Sequence, residues 1–229
     1  FINSVTEVVI CENAHLKWTN SQEMNHKTGY ISSFNISLNK DASAKYNSFE
    51  FGGGFVRHDI NVNFDASNGD CEINSLFIPN GKQHIDISTI VHHKSPHCSS
   101  RQLVKGILGG NSRAVFRGLA NVYKEAGKTD ARQNNKNLIL SPSARVNSIP
   151  QLEIYEDDVK CSHGCTVGQL DKNALFYLRS RGIAEKEATA LMMYGFANKV
   201  LTSVEIPEIK ARINRIIANK LGVDIGFDI

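Results

Sequence analysis

The stretch Ile60-Asn61-Val62-Asn63-Phe64 places an apolar side chain at every second position, and Ile85-Asp86-Ile87-Ser88 shows the same alternation further along the chain. Because successive side chains of a β-strand point to opposite faces, this period of two predicts strands with one buried face. Similar short runs, each ended by Asn, Gly, Ser or Asp, recur from Phe1 to about Val159. The clearest are Val5–Ile10, Tyr30–Leu38, Phe55–Phe64, Cys71–Ile78 and His84–His92. The sequence therefore predicts a mainly β fold over this region.

Two architectures fit these strands equally well. Their spacing suits a sandwich or barrel, but two-residue hairpin signals are scarce, with Asn68-Gly69 and Asn80-Gly81 as the candidates. Strands joined by polar, Asn-rich corners are also typical of a parallel β-helix. The most helix-like piece in this part is the short Asn121–Ala126. The pattern alone leaves the choice between these architectures open.

Beyond Gly168 the period changes to that of helices, and three short helices are predicted. Asp171 is suited to cap the first helix and Gly182 to end it, while Pro207 suits the first position of the third. The expected apolar faces are Ala174, Leu175 and Leu178; Ala188, Leu191, Met192, Gly195 and Phe196; and Ile209, Ile213, Ile216, Ile217 and Leu221. For Met192 and Met193 we favour core filling over a partner surface.

Composition excludes several classes of protein. The 229 residues are 41% hydrophobic and 21% charged, which is enough apolar material for a core and too little charge for disorder. No apolar run reaches the roughly 20 residues that span a bilayer. The net charge of +3 is interspersed rather than gathered into a basic patch, so neither nucleic acid nor a membrane is an expected partner.

The cysteines indicate a reducing cellular compartment, and the first residues indicate that the sequence is a fragment of a longer protein. Five cysteines, odd in number and mostly far apart, are unlike a secreted disulfide scaffold and indicate a reducing compartment, hence the cytoplasm. The chain begins in strand-like sequence, Phe1–Ile10, with neither an initiator Met nor the features of a secretory signal. We therefore expect it to start inside a domain and to lack an N-terminal part.

The densest constellation of reactive side chains is Val159–Cys165. At strand period Cys161, His163 and Cys165 point to one face, so two thiols and an imidazole could converge on one metal or cluster. A structural zinc site normally needs four ligands, and free cysteine is among the most buried residue types. From the residues alone a buried strand end is favoured over a metal site.

The other motifs in the sequence give weaker indications of a metal site, a phosphate site or a catalytic site. His92–Cys98 matches no metal-binding spacing and is interpreted as a packed corner with surface histidines. Gly52–Gly54 and Gly106–Gly110 are not followed by Gly-Lys-Ser/Thr, so the phosphate-binding loop of an NTPase is absent from this sequence. No Gly-x-Ser-x-Gly elbow of a serine hydrolase is present. Glu156–Asp158 could bind calcium, although a solvated turn is favoured.

From Arg113 to Phe196 a series of strings, in this order and spacing, resembles the SufB/SufD family of iron–sulfur cluster assembly proteins. The strings are Ala114–Gly118, Asn135–Ser141, Ile149–Ile154, Cys161–Gly164, Thr166–Gly168 and Leu175–Ile183. The preceding β-rich region matches in pattern and in pieces such as Ser95–Gly106. Within the family the chain is more similar to the D type than to the B type. The B type has a cluster-assembly cysteine where counting back from Pro150 gives Ala144, and it reads Glu-His-Glu where this chain reads Ser162-His163-Gly164.

The resemblance implies a fold and a role. It implies a right-handed parallel β-helix over residues 1–166, without the family's N-terminal helical region, followed by a small α-helical domain over 167–229. It further implies a non-catalytic scaffold that pairs with a SufB-type subunit and with the SufC-type ABC ATPase, the latter docking on helices of 168–229. A homodimer is expected when the partners are absent. Iron or an iron–sulfur cluster would be held transiently in the complex, and none stably by the isolated chain.

The resemblance also selects candidate site residues. His163 matches the family histidine that faces the B-type cysteine across the subunit interface, and it is the first candidate for a role in cluster assembly or metal binding. Cys161 is the second candidate, and the role of Cys165 is left open. The alternative function is a β-helix lyase or hydrolase acting on acidic polysaccharide. The helical tail and the lack of an export signal make that alternative less favoured.

Overall fold

The computed structural model describes residues 1–222, which form twelve β-strands followed by three α-helices. The strands are β1 (Ile2–Ile10), β2 (His15–Gln22), β3 (Gly29–Leu38), β4 (Ser43–Glu50), β5 (Phe55–Phe64), β6 (Asp70–Phe77), β7 (His84–His93), β8 (Ser99–Leu108), β9 (Arg113–Val122), β10 (Asp130–Ile139), β11 (Arg145–Ile154) and β12 (Lys160–Gly168). The helices are α1 (Lys172–Ser180), α2 (Glu185–Leu201) and α3 (Pro207–Leu221).

The strands form two parallel six-stranded sheets, the odd sheet in the order β1-β3-β5-β7-β9-β11 and the even sheet in the order β12-β10-β8-β6-β4-β2. Each strand pairs with the strand two places along the chain, so one turn comprises one strand of each sheet. The turns vary little in length: Tyr30 pairs with Val56, 26 residues on, and Ala114 with Val146, 32 residues on. The fold is therefore a parallel β-helix of about six turns, as the family resemblance implied, and not a sandwich or barrel.

The corners explain the Asn-rich turns. Where the chain passes from the odd to the even sheet, Asn13, Asp41, Asn68 and His97 have φ between 57° and 62° in four successive turns. L-residues rarely adopt this left-handed conformation, and Asn and Asp tolerate it best. Asn68-Gly69 is thus a corner between the two sheets and not a hairpin. The helical interpretation of Asn121–Ala126 is wrong, because this segment is the end of β9 and the turn after it.

The glycine triplet Gly52–Gly54 is a backbone packing site. A Cβ atom on Gly52 would lie 2.2 Å from the carbonyl oxygen of Met24, and one on Gly54 would lie 2.2 Å from that of His26. Only glycine lets the turn between β4 and β5 pack so closely against the turn between β2 and β3. The three glycines allow close backbone packing in this turn and do not form a phosphate-binding loop.

The space between the two sheets is the main core. It is filled by large apolar side chains from alternate positions of both sheets, including Ile36, Leu38, Tyr46, Ile60, Phe64, Ile73, Phe77, Ile85, Ile87 and Phe116. This core explains the alternation in β5, because Ile60, Val62 and Phe64 point into it while Asn61 and Asn63 lie on the outer face.

The helices cover the outer face of the even sheet. Phe49 of β4, Leu76 of β6 and Ile107 of β8 point outward and share one apolar cluster with Met193 of α2 and Ile213 of α3. The caps agree with the sequence: Asp171 accepts the Asn173 N–H at 2.8 Å, Gly182 has φ 87°, and Pro207 begins α3. None of the helices in residues 1–222 has the length and apolar character needed to cross a bilayer.

The buried face of α2 matches the predicted one only in part: Ala188 is buried and Phe196 packs against the cluster, as predicted. The side chains that pack on the sheet are Ala190, Met193, Ala197, Val200 and Leu201, whereas Leu191 is 43% exposed. The helix is apolar on more than one side, so its periodicity alone did not identify the packed stripe. Core filling is confirmed for Met193, and Met192 is half-buried.

Polar contacts also hold the helices to the sheet. Lys105 of β8 donates to the Phe196 carbonyl at 2.7 Å and lies 4.4 Å from the centre of the Phe196 ring. Burial beneath α2, with the charges of Lys136 and Lys199 nearby, lowers the pKa of Lys105 to about 8. The segment after α2 is held by Glu205, which pairs with Lys45. The helices and the β-helix therefore pack as neighbours with a shared apolar cluster.

Candidate functional site

Strand β12 lies at the end of the even sheet and presents the three candidate side chains. It pairs with β10 in a register that places Cys161 opposite Ala131, His163 opposite Gln133 and Cys165 opposite Asn135. Because the three β10 residues are interior, the β12 side chains continue the same columns of side chains at the open end of the β-helix. In the part of the chain that the structure describes, no further strand covers them. His163 and Cys165 are consequently exposed, and Cys161 is half-buried.

Three interior side chains of β10, next to β12, are amides. We call Gln133, Asn135 and Asn137 of β10 the amide layer. All three side chains are at most 2% exposed. Asn135 Oδ1 accepts from Asn137 Nδ2 at 2.6 Å and from the Ser148 hydroxyl at 2.7 Å, and the Cys165 thiol lies 3.9 Å from the same oxygen. The open end of the β-helix is therefore polar, whereas its middle turns are largely apolar.

The amide layer was not predicted from the sequence. In β10 the inward positions carry polar side chains, so the apolar alternation that identified other strands is absent. The available signal was the polar run Gln133–Asn137 placed between two strand-like segments, Ala114–Gly118 and Ile149–Ile154.

The two candidate thiols differ in environment. Burial, together with the charge of Asp130, raises the pKa of the Cys161 thiol above its ordinary value. The hydrogen bond from Arg132, at 2.8 Å from Nε to Asp130 Oδ1, lowers the pKa of that neighbouring carboxyl and keeps it charged. Cys161 is therefore held as a neutral thiol, and the thiolate that binds metals is disfavoured. Cys165 is exposed, and its sulfur lies 3.9 Å from Asn135 Oδ1 of the amide layer.

The described residues do not form a metal site by themselves. Alternate residues on a strand lie about 6.6 Å apart along it, so Cys161, His163 and Cys165 share a face without converging on one point. Across residues 1–222 no group of three or more His, Cys, Asp or Glu side chains is placed to hold a metal ion. A ligand set that includes His163 would need groups from another molecule.

The position matched to the B-type cysteine carries no reactive group. Ala144 lies one residue before β11, is 2% exposed, and packs in the same apolar cluster as Ile85 and Ala114. This turn of the β-helix can contribute packing but no nucleophile or metal ligand at that point.

The remaining motifs are structural. Glu156 accepts the backbone N–H of Glu125 at 2.9 Å, and Asp158 pairs with Lys128 at 2.6 Å, so this acidic corner is a turn and not part of a metal-binding cluster. In the segment 92–98, His93 is buried, stacks on Phe64 with ring centres 4.6 Å apart, and contacts the Ser100 hydroxyl at 2.9 Å. Corner packing is confirmed, but the prediction of surface histidines is wrong for His93, which is a core residue of β7, and right for His97, which is exposed.

A second exposed feature is the outer surface of α1. None of its side chains is buried, and Phe176 and Tyr177 are 73% and 56% exposed. Leu175 and Leu178 on its other side are half-buried. These two neighbouring rings form an exposed apolar feature on the helix surface, and large contiguous apolar patches mark interaction sites.

Comparison with known proteins gives a consistent result. The family model described as "SUF system FeS cluster assembly, SufBD core domain" matches residues 1–196. The chain is 38% identical to the iron–sulfur cluster assembly protein SufD of Escherichia coli over 93% of its own length and 50% of that protein. It is 33% identical to a SufBD family protein of Mycobacterium leprae (85% and 52%) and 32% identical to the chloroplastic protein ABCI7 of Arabidopsis thaliana (91% and 44%). The chain thus spans about half the length of these curated relatives. On the match over residues 1–196 and these similarities, it belongs to the SufB/SufD family and is most like SufD.

Proposed function

We propose that this chain is a non-catalytic scaffold subunit of a Suf-type iron–sulfur cluster assembly complex, in which it pairs with a SufB-type subunit and a SufC-type ABC ATPase. The observation that carries the proposal is an exposed imidazole, His163, at the open end of a β-helix that belongs to the SufB/SufD family. Iron or a nascent cluster is the cargo of the complex, held transiently and not by the isolated chain. The complex works in the cytoplasm, a reducing compartment that suits five free cysteines.

The test of this role is coexpression of the full-length protein with its SufB-type and SufC-type partners, followed by measurement of bound iron and sulfide. The proposal requires iron and sulfide on the three-component complex and a marked loss when this subunit is omitted. Equal iron and sulfide without this subunit would show that it is not a scaffold for assembly.

We place the ATPase-binding surface on the helices of 168–229, with α1 at its centre. The exposed rings of Phe176 and Tyr177 support this placement, because buried aromatic residues are frequent energetic centres of interfaces. Deleting the whole tail would be an unclear test, since it would also uncover Phe49, Leu76 and Ile107 on the even sheet. Point variants on α1 avoid this problem.

The double variant Phe176→Asp/Tyr177→Asp is expected to weaken ATPase binding by at least about tenfold. Both side chains are exposed, so the fold and the thermal unfolding midpoint should change little. Binding is measured by calorimetry or by copurification with the ATPase. Unchanged affinity in the double variant would place the docking site elsewhere.

We place the contact with the SufB-type subunit at the free edges of β11 and β12. A parallel ladder that ends in an unpaired strand invites pairing with another chain, and the apolar side chains exposed around these strands are Ile149, Ile154, Tyr155 and Val167. The same edges would support a homodimer when the partner is absent.

The double variant Tyr155→Asp/Val167→Asp is expected to lower the affinity for the SufB-type subunit by about tenfold or more, and to leave ATPase binding as it is. Analytical ultracentrifugation of the purified pair measures the change. The α1 double variant is the reciprocal control, and Phe55→Asp, 43% exposed on β5, controls for loss of apolar surface in general. If the edge variant binds the B-type subunit as tightly as the unmodified chain, the interface is not at these strands.

A further inference from the structure

Gln133 has a buried oxygen without a partner at the point where the β-helix opens. The residue is 1% exposed. Its Nε2 donates to Gln102 Oε1 at 3.3 Å, and Gln102 Oε1 also accepts from the Thr89 hydroxyl at 2.7 Å. Gln133 Oε1 makes no hydrogen bond with any residue that the structure describes. A buried carbonyl oxygen in that state is uncommon in folded proteins, so a donor for it is expected.

The rest of the turn is shaped around this side chain. A Cβ atom on Gly118 of β9, on the facing sheet, would lie 2.1 Å from Gln133 Nε2 and 2.7 Å from its Cδ. Any larger residue at 118 would push the amide group out of its place. The long amide crosses the interior because the opposite strand has no side chain there, so its position is defined by packing from two sheets.

The next side chain along the same column is His163. The register pairs Gln133 directly with His163, and neighbouring strands lie about 4.8 Å apart. No hydrogen bond is made by the His163 ring within residues 1–222, and the residue is exposed. An imidazole carries an N–H donor in either neutral tautomer. The register therefore places an imidazole N–H donor on β12 beside the β10 residue whose Oε1 lacks a partner.

We propose that Gln133 is a positioning residue for His163: its Oε1 accepts a ring N–H from His163 and so fixes the tautomer and orientation of the imidazole. The partner of one ring nitrogen decides which nitrogen is left free, and outer partners of this kind orient histidines that bind metals or transfer protons. With one nitrogen held by Gln133, the other faces out of the β-helix. There it can meet iron or a proton donor brought by another subunit.

This inference rests on the proposed function only for its consequence in cluster assembly, and the first readout is independent of it. In the full-length protein labelled with ¹⁵N-histidine, the His163 signal is assigned by comparison with His163→Ala. We expect one dominant tautomer and a ring N–H with a nuclear Overhauser contact to the Gln133 side chain. Gln133→Met, which keeps the length and removes the acceptor, should give a mixture of tautomers. Gln133→Glu, which keeps an acceptor oxygen, should restore the single tautomer.

Asn137→Leu is the matched control. Asn137 is a buried amide of the same strand with its own unpaired Oδ1, but its register partner is Val167. This variant should leave the His163 tautomer unchanged. In the assembled complex, Gln133→Met should lower cluster formation by about tenfold or more, with Gln133→Glu close to the unmodified protein.

The possible outcomes distinguish the positioning role of Gln133 from the role of His163 in cluster assembly. A mixed tautomer in the unmodified protein, or no contact between the His163 ring N–H and Gln133, overturns the inference even if Gln133→Met fails to fold. Equal tautomer populations in Gln133→Met and in the unmodified protein also overturn it. A tautomer that depends on Gln133, combined with normal cluster formation by His163→Ala, supports the inference and rejects the assembly role of His163.

Discussion

Replacement of His163 by alanine is expected to reduce cluster formation by the assembled complex by about tenfold or more, while folding and complex formation stay nearly intact. The side chain is exposed at the open end of the β-helix and packs in none of the apolar clusters, so its removal costs little stability. An imidazole can ligate iron or transfer a proton near neutral pH. Iron and sulfide bound per complex, after coexpression with the B-type and ATPase subunits, measure the effect.

Other single substitutions in this chain, measured in the same assay, are the controls for His163→Ala. His26→Ala removes an exposed histidine from a distant corner and should leave cluster formation unchanged. Cys165→Ala should have little effect beyond packing. Cys161→Ala should have an effect smaller than that of His163→Ala, since burial keeps this thiol neutral. Normal cluster formation by His163→Ala, or a variant that merely fails to fold, would contradict a functional role for this residue.

The strands were predictable from the sequence, but their arrangement was not. An alternating run such as Ile60–Phe64 shows that one face is buried and does not show which strand lies beside it. Pairing of each strand with the strand two places on is decided by the whole chain. The left-handed corners at Asn13, Asp41 and Asn68 were visible only as asparagine-rich turns, and the family resemblance supplied the choice of a β-helix.

Strand β4 shows why part of the fold escaped prediction. Its inward positions include Ser48 and Glu50, while Phe49 points outward and is covered by the helices. Over Ser48–Glu50 both faces are therefore buried, with the polar side chains on the inner face, although Ala44 and Tyr46 of the same strand also point inward. A pattern argument that assigns apolar residues to the core would place Phe49 inside and Glu50 outside. The amide layer of β10 escaped for the same reason, whereas the shared face of Cys161, His163 and Cys165 followed from the period of two.

The polar interior at β4 leads to the largest expected effect on stability. Glu50 is completely buried, and its Oε1 lies 3.1 Å from Nδ1 of His58, which is 1% exposed. Ser48 donates to Oε1 at 2.7 Å and Gln22 to Oε2 at 3.2 Å. The other ring nitrogen of His58, Nε2, lies 2.9 Å from the Tyr46 hydroxyl. The Glu50 carboxylate is thus the hydrogen-bond acceptor for polar side chains of β2, β4 and β5 within the apolar core.

Glu50→Ala is expected to lower the free energy of unfolding by about 3–5 kcal/mol, because it removes the buried acceptor of the Ser48 hydroxyl and of one Gln22 N–H and breaks the pair with His58. The double variant Glu50→Leu/His58→Leu should be less destabilised than the two single losses added together, since neither polar partner is left alone. Urea unfolding followed by circular dichroism gives both values. A loss below about 1 kcal/mol in Glu50→Ala would mean that the network is not a major source of stability.

The same carboxylate makes stability depend on pH in a direction that can be worked out. Burial by itself raises the pKa of Glu50, but the hydrogen bond and charge of His58, with the hydrogen bonds from Ser48 and Gln22, outweigh it and lower the pKa below its ordinary value of 4.5. The unfolded chain therefore binds this proton more readily than the folded one. The contribution of Glu50 is complete above about pH 4.5 and is lost as the pH falls through the lower folded pKa. Glu50→Gln should remove this dependence, so that its unfolding free energy falls less steeply with acid than that of the unmodified protein. Parallel slopes for the two proteins below pH 4.5 would show that Glu50 is not the group whose protonation weakens the β-helix.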